Sequence, residues 1–454
     1  MIKQIIETTM NKLTSIFITA TLILMLGING QCQINRTVNT KVADALAQVP
    51  TKDYVRLNAL MSEVADLKEE GMELITAKIV PPGTGDDVAA RFVVASLAKY
   101  VSQFGKEEDK RMVERGLQNA LKAASDKDVQ SFYLTQLYFV ASSASVNTLS
   151  QYLQDDKLCD ASVKVLIAIA SPSAGQVMLK ALEAAQGIPA LALAKAVGQL
   201  KMEAAAVTLT NKLEASDPNF QRVLLESIAM IGSKTSIGLL TERASKAQYL
   251  YEPTGAVNAL LTYANRLGEK WNLDLSEKVL EDILNNCKDI KQLQFRSAAL
   301  ALKVKYWGVE TLSLLKSEFD HENKAYRAGV MNLAAGLLDI SATRQWINKA
   351  VEESGEKRAE IVEMLGRKGD PALLQALVLA LTDTSSDAVR LAAIEAIANI
   401  KDENATKALE GYLLSGQDAT ATAKALSRRL DAAHLNRLSA ALETAPKSAK
   451  VEII

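Results

Sequence analysis

Two histidines and three cysteines are all that 454 residues provide. His321 and His434 lie too far apart in sequence to form a short zinc motif, so histidine-based metal sites and catalytic triads have almost no material. Cys32, Cys159 and Cys287 are too few for a disulfide framework and lack metal-ligand spacing. For the last two, one bridge or two buried thiols both fit. Aromatics make up only 5% of the chain while Ala and Leu are abundant. That bias disfavours sheets, which draw on β-branched and aromatic side chains, and favours helices packed through small residues. Charge of one sign is missing too: 52 basic against 53 acidic residues leave a net −1. No global field would steer nucleic acid or an anionic membrane, and no nucleic-acid partner is expected. The apolar run Ile16–Ile28 falls short of the ~20 residues that a membrane span needs.

That run does fit an export signal over residues 1–30. Lys12 supplies a basic start, and Gly30 offers a small residue for cleavage before Gln31. Met10 serves equally well as a start, because Glu7 precedes the apolar stretch. Position and flanks favour a signal over a buried core helix. The expected location is therefore periplasmic or extracellular. Cys32 raises a lipid anchor, but Asn29-Gly30-Gln31 lacks the aliphatic residue such anchors want three places upstream, which counts against it.

What the chain has in quantity is periodicity. Helical patterns begin near Asp128, Leu158, Ile188 and Pro218, and again near Pro253, Ile290, Ala325, Lys357, Asp387 and Asp418. Each unit reads as two short amphipathic helices joined by a tight turn. In the clearest one, Val389, Ala393, Ala396, Ile397 and Ile400 share one helical face, and Ala405, Ala408, Leu409 and Tyr412 line the next helix. Neither stripe is buried unless the helices pack on each other and on neighbouring units. Pro172, Pro189, Pro218, Pro253 and Pro371 fall at expected helix starts, where a missing N–H costs nothing. Asp217 and Asp370 precede two of them as capping carboxylates, and Asp387 is expected to cap its helix. Gly187, Gly232, Gly355 and Gly369 are placed at helix ends.

The run Asp387-x-Val389-Arg390-x-x-Ala393-x-x-Ala396-Ile397 resembles the short HEAT-like repeat, whose first helix opens D-x-x-V-R-x-x-A-x-x-A-L; the Asp is displaced by one residue. Phe220-Gln221-Arg222 and Ala325-Tyr326-Arg327 keep the arginine, and the resemblance extends over about 128–448. It implies an all-α fold, an α-α superhelix of about ten HEAT-like helix pairs; with the signal segment, the expectation is a HEAT-like repeat protein of exported bacterial type. Its surface would bind partners, with no particular ligand implied.

Residues 31–85 fit the array poorly and read as a helical N-terminal cap, with the solenoid expected over 86–448. A unit starting at Asp418 predicts a successor near Ala449, so 449–454 read as the start of a further, truncated repeat.

Two stretches imitate catalytic motifs. Pro81-Pro82-Gly83-Thr84-Gly85 looks like a phosphate loop, but Asp86 and Asp87 stand where Lys and Ser or Thr are needed, and they read as helix caps. His321-Glu322 opens like a zinc-peptidase helix, but Ala325 replaces the second histidine, leaving a solvated turn between repeats. No catalytic residue, metal site or cofactor is nominated.

All three tryptophans lie within 249–346, among the longest units. Tyr249, Tyr251, Trp271, Tyr306, Trp307 and Trp346 are the candidate interaction surface, since exposed aromatics anchor interfaces and stack on sugars. The competing reading, favoured by the usual burial of Trp, has them fill a widened core. The expected function is a non-catalytic scaffold that engages a protein or glycan. The alternative is the N-terminal repeat module of a larger exported enzyme, such as a sugar hydrolase.

Overall fold

A computed structural model describes residues 36–214, 216–428 and 432–453. The expected signal segment and Cys32 lie outside the described residues. The described residues are all-α, with no strand, and belong to the α-α solenoid class. They form two compact units, the first ending at Ile231 and the second starting at Gly232.

In the first unit, the front of the chain folds as helices Val38–Ala47, Tyr54–Ala65 and Lys68–Thr76. Helix pairs then follow, with first helices opening at Lys127, Cys159, Gly187 and Pro218. In the second unit they open at Ala256, Leu293, Lys324, Gly355, Asp387 and Ala419. The repeat phase expected from apolar spacing is thus reproduced to within a few residues. A single 3-10 turn leads into several second helices, as at Ser143–Ser145, Lys234–Ser236 and Gly308–Thr311.

Local chemistry explains the boundaries. Asp217 accepts from the backbone N–H of Asn219 at 2.9 Å, and Asp370 from that of Ala372 at 2.9 Å, so both carboxylates before proline do cap their helices. Asp387 does not. Ser386 caps that helix through the Val389 N–H, while Asp387 pairs with Arg390 at 2.5 Å. The side chain one residue earlier has the reach to the exposed N–H groups. Gly187 and Gly355 also differ from expectation. They open helices, at φ +56° and +54°, and so let the chain turn sharply between repeats.

Small residues set how closely first helices approach. Gly198 faces Ser227, and Gly366 faces Ala396, where an added Cβ would sit 2.2 Å from the alanine Cβ. The second unit's core continues from there through Ile361, Leu365, Val389, Ala393 and Ile397, all buried.

Buried Arg327 and Arg390, together with half-buried Arg296 and Arg358, tie neighbouring elements together in the second unit. Arg296 binds Glu318 at 2.8 and 2.6 Å, and Arg327 binds Glu360 at 2.8 and 2.7 Å. Arg358 meets Asp383 at 3.0 Å, and Arg390 meets Asp418 at 2.7 Å. Three of these guanidiniums also donate to backbone carbonyls that precede their own helix. Arg327 reaches the carbonyls of His321 and Glu322, Arg390 that of Asp383, and Arg296 those of Leu284 and Cys287. In the first unit, buried Glu114 does related work by accepting from the Ser142 N–H and the hydroxyls of Ser142 and Ser145.

Two outcomes follow from this packing. Gly366→Ala should cost about 1–3 kcal/mol in chemical denaturation, because a methyl has no room against Ala396. An unchanged unfolding midpoint would show that the two helices are not in such close contact. The second concerns acid. The Arg390 hydrogen bond holds the Asp418 carboxyl below its usual range, and Lys127 does the same for Asp155. Carboxylates depressed in the folded state stabilise it fully above their unfolded pKa of ~4, and that contribution fades as pH falls through the depressed values. Thermal midpoints should therefore change little from pH 7 to 5 and drop below pH ~4. A flat profile down to pH 3 would contradict these pairings.

Candidate binding groove

The longest units hold an open groove of about 680 Å³ in the second unit. One wall is the helix Leu273–Asn286, contributing Glu277, Glu281, Leu284 and Asn285. The other is the turn Gly308–Thr311 with the short helix Leu312–Phe319, contributing Glu310, Thr311, Leu314 and Glu318. Arg296, Lys303 and Trp307 form the floor, all from the helix Leu293–Trp307.

That floor helix turns charged side chains toward the groove. Lys303 is only 8% exposed, yet its ammonium bonds Glu277 at 2.6 Å and lies 5.0 Å over the Trp307 ring. Carboxylate and indole together compensate for the buried charge. At the other end, Arg296 is locked onto Glu318, which also accepts from the Tyr326 hydroxyl at 2.6 Å. Burial first, then this carboxylate, pushes the Tyr326 phenol above its ordinary pKa.

The six aromatics nominated from sequence do not form one surface. Trp346 is 0% exposed and packs edge-on against Phe319, 6.0 Å between ring centres, with its buried indole N–H lacking a partner among the described residues. Tyr249 is buried too, and its hydroxyl donates to Asp282 at 2.5 Å. Both are core residues: Trp346 lies on the inner face of the helix Ile340–Glu352, and Tyr249 is turned inward by the left-handed turn after the helix Ile237–Lys246. Tyr306 is half-buried over Gly268, with its hydroxyl on the Asn265 carbonyl at 2.8 Å. Tyr251 and Trp271 are exposed, at opposite ends of the helix Ala256–Glu269. Trp307 alone enters the groove.

Trp271 is held out by the backbone. At φ +59° it takes the left-handed position that ends a helix, its N–H on the Gly268 carbonyl and that of Asn272 on Leu267. Glycine is the usual occupant there. Lys201 takes the same conformation in the first unit.

A second aromatic group escaped sequence reasoning. Phe104 and Tyr138 are exposed at the ends of Val88–Gln103 and Lys127–Val140, and Lys99 spans the two helices with its ammonium 5.6 Å over Phe139. The available signal was six aromatics within residues 100–139.

The motif look-alikes resolve into turns. Asp86 accepts from the Val88 N–H, while Asp87 bonds Arg91 at 2.7 Å and the Val80 N–H at 3.1 Å. His321 accepts from the Asn323 N–H through Nδ1 and packs at a tilt against the Tyr326 ring. Cys159 and Cys287 are free and buried, and burial pushes their thiols up to about 12 and about 11. Among the described residues no three metal-ligating side chains gather, and no helix is long and apolar enough to cross a membrane.

The tryptophan placements are checked by stability. Trp346→Ala should cost about 3–5 kcal/mol, as for a large buried side chain. Trp271→Gly should instead raise stability by about 1 kcal/mol by relieving the left-handed conformation. Equal losses at both sites would refute these positions.

No curated protein sequence matches the chain. Among solved structures, Kap121p bound to Nup53p aligns at a TM-score of 0.53 and 12% identity, covering 92% of this chain and 52% of that one. The karyopherin Kap121p bound to the extreme C-terminus of the protein phosphatase Cdc14p aligns at 0.50 and 12%, covering 85% and 49%. The chain spans about half the length of these karyopherins, and at this identity the likeness establishes fold alone. Residues 343–428, which include the Asp387–Ile397 motif, match the family model described as HEAT repeats. The HEAT-repeat match is thus specific to residues 343–428, and the solenoid neighbours extend the likeness of fold over most of the chain.

Proposed function

We propose that the chain is a binding scaffold, acting outside the cytoplasm, that receives a segment of a protein partner in the groove floored by Lys303 and Trp307. The groove itself carries this reading. Here two second helices part above charged and aromatic side chains, leaving about 680 Å³ open. Such a trough accepts an extended segment with hydrogen-bonding groups on both walls. A fold shared with karyopherins whose structures contain bound partner proteins is consistent with the reading but adds no ligand. The extracytoplasmic setting is supported by Lys12, the apolar run Ile16–Ile28 and Gly30.

Photo-crosslinking in intact source cells, followed by fractionation, tests both parts. A photoreactive residue at exposed Asn285 should trap a discrete partner in the exported fraction, and filling the groove with Leu314→Trp should abolish that product. The same probe at Glu226, in the first unit, should not yield it. A product that forms equally at both positions, or that survives Leu314→Trp, would remove the groove from the function. Recovery only in the cytoplasmic fraction would overturn the location.

A further inference from the structure

We infer that the Trp307 end of the groove recognises a lysine or arginine side chain on the partner's segment; this rests on the scaffold reading above. Seven titratable side chains face the groove, and most are already matched within the chain. Arg296 is bound to Glu318 and Lys303 to Glu277, each at 2.6 Å. What remains unmatched is mainly acidic. Glu281 is 58% exposed with its nearest cation, Lys303, at 3.8 Å, and exposed Glu310 has no ion-pair partner among the described residues. They belong to opposite walls of the groove that Trp307 also lines. Lys288 lies at the far end of the Leu273–Asn286 wall, about two turns beyond Glu281.

The chain itself demonstrates what this end accepts. Lys303 places a primary ammonium 5.0 Å above the Trp307 ring and against two carboxylates, at 2.6 and 3.8 Å. Aromatic face plus carboxylate is the combination that stabilises an alkylammonium or guanidinium removed from bulk water. Lys303 uses Glu277 fully and Glu281 only in part, so Glu281 and Glu310 are left to neutralise a second cation arriving from solvent. An anionic segment would fit poorly, since both floor cations are engaged and the free groups would repel it. With Lys288 at the other end, the groove also has a direction: cation toward Trp307, and any acidic or carbonyl-rich part of the segment toward Lys288.

Fluorescence anisotropy with the full chain provides the test, using a labelled nine-residue Gly/Ser peptide carrying two central lysines and the same peptide with both lysines acetylated. The charged peptide should bind in a salt-sensitive manner, and acetylation should weaken it by about tenfold or more. Combined Glu281→Lys and Glu310→Lys substitution should weaken binding by about tenfold, while Glu183→Lys with Glu226→Lys, an equal charge change in the first unit, should shift it less than about twofold. Trp307→Leu should also weaken it, in protein whose melting curve shows it folded. Equal affinity for the acetylated peptide, equal loss in both double variants, or no binding of the charged peptide would each overturn cation recognition. If cross-linking at Asn285 still traps a partner in those cases, the scaffold reading stands and only the partner's chemistry is wrong. If it traps none, both readings fall.

Discussion

A guanidinium drawn in between repeats needs carboxylate and carbonyl partners, and four such contacts recur through the second unit. Removing such a charge from water costs several kcal/mol unless carboxylates and carbonyls replace the lost hydration. Arg296, Arg327, Arg358 and Arg390 recur at intervals of one repeat, each bonded to a carboxylate on another helix or turn. Three of them also take up backbone carbonyls that precede their own helix. A repeat shifted by one helical turn would strand the charge. Apolar stripes tolerate small slips, so the arginines set the register that apolar packing leaves loose.

The groove follows from the same rule applied where packing opens. The floor helix Leu293–Trp307 keeps its arginine but adds Lys303 and Trp307 on the side that faces the second helices. Close apolar contact across that side would bury unpaired charge. The walls instead bring Glu277 and Glu318 to the two cations and stay apart above them. A pair arrangement that serves stability thereby leaves an open, charged and partly aromatic trough, which is the physical basis for assigning recognition to it.

Much of the architecture could be read in advance because periodicity is a local property. Spacing of Ala, Leu, Ile and Val identified each helix pair, and proline marked starts such as Pro172 and Pro218, because one residue's backbone chemistry decides these features. Arg327 and Arg390 were visible as motif positions. Their partners Glu360 and Asp418 were not, since 33 and 28 residues of chain separate each pair and many acids lie within that range. The candidate surface was legible only as a region. Trp346 and Trp271 are alike in a sequence, yet one packs on Phe319 of the preceding repeat and the other sits at a left-handed helix end in water.

By itself, then, the order of residues determined that this chain is helical, how long its repeats are, and which residues are available to be buried, because these depend on intervals of three or four positions and on caps one to three residues away. Which carboxylate meets which arginine, which aromatics reach water, and where neighbouring helices part were decided only by tertiary structure. Those outcomes depend on the angle and distance between helices in successive repeats, quantities to which every packed side chain contributes and which no short stretch of sequence specifies.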